Sequence, residues 1–119
     1  MKVISTSFVL KGKTDYKDLV PVFPQMLCTL LEEIGQMPED DDILQMYIEL
    51  NLMDLRENRK PEGYNRKGKV RLVFPLDFKG FYLKTYDKYN DLKKLVGEYR
   101  AILDENGISY EIIEQNSSK

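Results

Sequence analysis

Few residues in this 119-residue chain are able to do chemistry at neutral pH: it has no His and a single cysteine, Cys28. Serine–histidine and cysteine–histidine nucleophile pairs are therefore excluded, as are zinc sites built on imidazole. Proton transfer near pH 7 would fall to a carboxylate, a Lys, a Tyr or the lone thiol with a displaced pKa. Glu39-Asp40-Asp41-Asp42 offers oxygen ligands for Mg²⁺ or Ca²⁺. Consecutive acids seldom converge on one ion, however, and no EF-hand Gly and Glu follow at the required spacing. Cys28 stands among Met26, Leu27, Leu30 and Leu31, the setting of a buried structural thiol rather than a reactive one. Lys11-Gly12-Lys13 has no phosphate-loop or dinucleotide fingerprint around it. The expectation is no catalytic residue, no metal and no cofactor. The residual enzymatic alternative is a carboxylate-based, metal-dependent nuclease using Asp15 and Asp40–Asp42.

Charge patterning points to binding instead. Residues 18–55 contain nine acidic residues and no Lys or Arg; residues 56–71 contain Arg56, Arg59, Lys60, Arg66, Lys67, Lys69 and Arg71 against Glu57 and Glu62. Blocks segregated this sharply create a dipolar field able to steer a charged partner. Tyr64 lies within the basic block, and Gly63 and Gly68 would let the backbone approach a ligand. Phosphate and acidic protein both suit it, although a net charge of −2 weighs against nucleic acid. Farther on, Lys79, Gly80, Phe81 and Tyr86 agree with the basic-glycine-aromatic pattern of an RNA-binding strand, while Tyr82, Leu83 and Lys84 depart from it. An ordinary sheet strand accounts for that segment better.

These residues have to be positioned by elements legible in the apolar spacing. Residues 3–10 alternate as a strand, and Pro24 to Ile34 carry Leu27, Leu30, Leu31 and Ile34 at helical spacing before Gly35. Residues 43–55 put Leu44, Met46, Ile48, Leu50 and Leu52 at every second position, which predicts a long half-buried strand. Wound as a helix, the same segment would be apolar on nearly all sides and keep no clean polar face. Residues 70–76 and 81–86 read as a hairpin about Asp77–Gly80. A helix over residues 88–106, capped by Asp87 and ended by Gly107, and a strand over residues 108–113 complete the chain.

The order β-α-β-β-β-α-β predicts an α+β domain over residues 1–114, with a flexible tail at 115–119. Its mainly antiparallel sheet of four or five strands would carry two helices on one face, in a ferredoxin-like arrangement or a variant of it. Tyr47, Met53, Val73, Tyr82 and Tyr86 would then share the open face, a surface suited to a partner. The expected contact set is Tyr47, Arg59, Lys60, Tyr64, Arg66, Lys67, Tyr82, Lys84 and Tyr86. The function expected is a non-enzymatic protein-interaction factor, such as a small inhibitor, immunity or adaptor protein, which meets itself or a protein partner through the open aromatic sheet face and a charged hairpin loop over residues 56–71. A nucleic-acid-associated protein using residues 56–71 is the alternative. One cysteine, no leader-like start and no long apolar run predict a cytoplasmic protein with no membrane partner.

Overall fold

Alternation at the start of the chain produces strand β1 (Lys2–Leu10), in which Thr6, Phe8 and Leu10 are buried toward the core. The computed structural model of the protein describes residues 2–64, 70–85 and 91–118. After β1, Asp15 caps a single 3₁₀ turn, Tyr16–Leu19, by accepting from the Tyr16 amide at 2.8 Å. Helix α1 (Phe23–Glu33) follows, with Pro24 in the first turn where its missing N–H leaves nothing unsatisfied. It buries Phe23, Met26, Leu27, Leu30 and Leu31, and Gly35 (φ +68°) ends it in a left-handed turn.

Residues 43–55 are not a strand. They lie inside helix α2 (Asp41–Arg56), capped by Asp40, whose Oδ1 accepts from the Asp42 amide at 2.9 Å. Asp41 and Asp42 in the first turn and Arg56 in the last complement the helix dipole. The segment's Leu, Met, Gln and Glu are good helix formers. Ile48, Leu52 and Leu55 fall at helical spacing and are buried, so tertiary packing meets local propensity here. The period of two was a coincidence of two separate helical stripes. Tyr47 and Met53 consequently sit on a helix, not on the open sheet face.

Three short strands come next or shortly after: β2 (Gly63–Tyr64), β3 (Arg71–Val73) and β4 (Gly80–Thr85). The strand expected over residues 70–76 is paired only at Arg71–Val73. Gly80 has φ +145°, and a Cβ there would lie 2.0 Å from the Phe8 carbonyl oxygen, so only glycine lets β4 close on β1. Helix α3 (Asp91–Glu105) begins after a segment that holds the expected cap Asp87 and lies outside the described residues. Strand β5 (Tyr110–Ser118) runs antiparallel along all of β1, from Leu10↔Tyr110 to Lys2↔Ser118. Residues 115–118, expected to be a loose tail, are thus the end of a paired strand.

The five strands form one antiparallel sheet in the order β2-β3-β4-β1-β5. The fold is α+β, and the order β3-β4-β1-β5 is compatible with a ferredoxin-like arrangement. Helix α2 and the short edge strand β2 are additions to that plan. Phe8 and Phe81 stack at 4.8 Å between adjacent strands; Phe74 (5.5 Å) and Tyr99 (6.1 Å) flank the Phe81 ring. The Tyr99 hydroxyl donates to the Met26 carbonyl at 2.7 Å, tying α3 to α1 across the core. Full burial pushes the ionisation of that phenol far above its ordinary value.

Candidate interaction surface

Two stripes run along α2. Leu44, Ile48, Leu52 and Leu55 point into the molecule together with Tyr47, which is half-buried against the core. On the other side Ile43, Met46, Leu50 and Met53 are 42, 51, 56 and 55% exposed. Their spacing of three, four and three residues places them in one line along the helix. Asn51 fixes the rotation that separates the stripes. Its Nδ2 donates to the Tyr47 carbonyl at 2.9 Å, and its Oδ1 accepts from the Gly63 amide at 2.8 Å, which joins α2 to β2.

Charge is distributed unevenly along the same helix. Glu39, Asp40, Asp41 and Asp42 are exposed at its beginning. Arg56 at its end pairs with Glu49, and Arg59 just beyond pairs with Asp54 at 3.1 Å and Glu57 at 2.6 Å. The acidic run, singled out as a possible metal site, is accounted for by capping and the helix dipole. Among the described residues no group of three or more Cys, Asp or Glu is disposed to hold a metal ion.

The expected contact set is dispersed by this geometry. Arg59 and half-buried Lys60 follow the end of α2 instead of projecting from a sheet hairpin. Arg56 and Arg59 already hold carboxylates, which leaves them less suited to phosphate. Tyr64 lies in β2 opposite Leu72. Arg66, Lys67 and Tyr86 lie outside the described residues. Tyr82 and Lys84 alternate with buried Phe81, Leu83 and Thr85 along β4 and are half-buried on the open face. Register places Val73, Tyr82, Ser7 and Ile113 in one row across that face, with Arg71 and Lys84 beside it. Ser7 is buried within the row.

Other features are less specific. Two open clefts adjoin the turns after β1 and α3; one, of about 480 Å³, is lined by Lys13, Thr14, Lys17 and Asn106, the other, of about 530 Å³, by Lys11, Arg100 and Asp104. Cys28 is half-buried rather than buried, and desolvation, with the Glu32 charge second, pushes its thiol up and away from the reactive thiolate. Among the described residues no helix is long and apolar enough to cross a membrane. Ile43, Met46, Leu50 and Met53 were missed as a set by sequence reasoning. Their 3-4-3 spacing was there to find, but the overlapping period of two concealed it. Compared with protein-family models, curated proteins and solved structures, the chain matches none of them.

Proposed function

We propose that this chain is a non-enzymatic protein-interaction factor of the cytoplasm, an inhibitor, immunity or adaptor type of protein, whose principal contact surface is the outer stripe of α2. The observation that carries this reading is four large apolar side chains exposed side by side on one helix. Single exposed apolar residues such as Leu76 and Ile113 are ordinary on protein surfaces, whereas a contiguous apolar line marks a surface that is covered in use. Anchors at this spacing on a helix are one of the recurring modes of protein recognition. The open row of Val73, Tyr82 and Ile113 is a secondary contact candidate, with Lys84 influencing orientation more than affinity.

Photocrosslinking tests the reading. A photoreactive phenylalanine replaces Met46, Leu50, Tyr82 or, as a control, the exposed Glu105, one at a time, in the cells that naturally make the protein. Discrete protein adducts are expected from positions 46 and 50 and none from position 105. Adducts from position 82 alone would move the contact surface to the sheet, and adducts from none of the three would overturn the interaction reading.

A further inference from the structure

We propose that the outer edge of β5 pairs antiparallel with the same edge of a second copy of the chain, around a twofold axis at Ile113, so that two five-stranded sheets become one. The two borders of the sheet are built differently. β2 closes one border with two residues, Gly63–Tyr64, and a strand that short offers little to pair with. β5 forms the other with nine, Tyr110–Ser118, in unbroken register along β1. It holds no Pro, no Lys or Arg and no bulge, the devices that commonly keep an edge from pairing. Glu111 and Glu114 are its charged residues.

Strand alternation determines which backbone groups face outward. The Lys11 amide donates to the Ser109 carbonyl at 3.1 Å, so Glu111, Ile113 and Gln115 turn their amides and carbonyls to β1. Tyr110, Ile112, Glu114 and Asn116 turn theirs away from it. Among the described residues, no backbone hydrogen bond outside the β1 ladder reaches those groups.

Register and charge select the second copy's alignment. Around a twofold axis each residue meets one of the same parity, so outward groups meet outward groups. An axis at Glu111 or Glu114 would set that carboxylate against itself. An axis at Ile112 would pair β5 only as far as Glu114, and one at Gln115 would set Ile113 against Ser117. An axis at Ile113 engages Tyr110 to Asn116 of both strands and sets Ile113 against Ile113. Glu111 then meets Gln115 of the second copy, and Glu114 meets Ile112 of the second copy, so no like charges stand directly opposite. The two Glu114 residues are diagonal neighbours across the axis; both are exposed, and their repulsion is weak and screened. Ile113 is 43% exposed and ends the open-face row of Val73, Tyr82 and Ser7. A second copy carries that row across the axis without a break, matching side chains as well as backbone. Helix α2, joined through Asn51 to β2 at the opposite border, stays uncovered in both copies.

Sedimentation equilibrium of the purified chain, from low micromolar to millimolar concentration, should show a mass rising from one chain to two. Ile113→Lys sets two cations against each other at the axis and should weaken association at least about tenfold, as should Ile113→Glu with two anions. An equal mixture of these two variants should restore it. Glu114→Pro deletes an amide that bonds nothing within the chain, so it should abolish association and leave far-ultraviolet circular dichroism unchanged. Glu114→Gln relieves the diagonal repulsion and should tighten association by about a factor of two. On a Cys28→Ser background, Ile113→Cys should link to itself under mild oxidation, because a non-hydrogen-bonded antiparallel pair brings the Cα atoms to about 4.5 Å. Glu111→Cys should not; a disulfide from it instead would overturn the axis at Ile113. A single-chain mass at every concentration, or a dimer that Ile113→Lys and Glu114→Pro both leave unchanged, would overturn the pairing of β5 edges.

Discussion

Helices α2 and α3 are nearly equal in length, 16 and 15 residues, yet they use their apolar residues in different ways. In α3, Leu92, Leu95, Val96, Tyr99, Ile102 and Leu103 are all buried, and Lys93, Lys94, Arg100, Asp104 and Glu105 face water. One stripe, one neighbour: the core satisfies every large apolar group that helix carries. In α2 the core takes Leu44, Tyr47, Ile48, Leu52 and Leu55, and a second stripe is left over. The fold of a single chain explains half of that helix and leaves the other half exposed to water.

Substitution within the stripes is the strongest way to break the comparison. Leu55→Ala in α2 and Leu95→Ala in α3 remove fully buried side chains, and each should lower unfolding free energy by about 2–5 kcal/mol in urea denaturation. Leu50→Ala, measured on dilute protein, should change it by no more than about 0.5 kcal/mol. A cost for Leu50→Ala equal to that of Leu55→Ala would mean that the outer stripe is packed within the single chain. Tyr99→Phe comes next. It leaves the ring in place but deletes the donor to the Met26 carbonyl, a loss of about 1 kcal/mol in the same assay.

A modest effect of the opposite sign is expected at the polar border of α3. Burial, and then the charge of Glu33, pushes the Glu98 carboxyl up, although Lys94 holds Glu33 at 3.0 Å. A carboxyl whose folded pKa is raised favours the folded state most below its unfolded pKa, and that contribution is lost as pH rises through the folded value. Glu98→Gln should therefore stabilise the protein at neutral pH, by at most about 1 kcal/mol given partial solvent screening. The variant should also lose less stability than the natural chain between acidic and neutral pH. A variant less stable at pH 7 would show that the Glu98 charge is satisfied by the fold.

The comparison also shows where sequence pattern is informative. The stripe of α3, the helix Phe23–Glu33 and the β1 and β4 alternation each had one period and one buried side, so spacing alone located them. Segment 43–55 had two overlapping apolar sets, and alternation emerged from their superposition. The lack of a polar face, which argued against a helix, came from a helix with one buried and one exposed apolar stripe. The end of β5 was hidden for another reason: Gln115, Asn116, Ser117 and Ser118 carry no apolar pattern and are held by backbone pairing to β1. Of the site, Tyr82 and Lys84 were legible from alternation on β4. The basic block was not, because a run of like residues gives no indication that it starts at the end of a helix.

A helix with two apolar sides poses a problem of uniqueness. Rolling α2 about its axis would exchange one apolar stripe for the other at the core. Asn51 separates them. Its Oδ1 accepts from the Gly63 amide in the observed rotation, and a rolled helix would part that pair and cost its hydrogen bond. Replacing Asn51 by Leu would keep the segment helical and the hydrophobic content high while removing that discrimination. The native state would then become an ensemble of helix rotations instead of a single conformation, as when a lone polar group is taken out of a helical interface that it had kept in register.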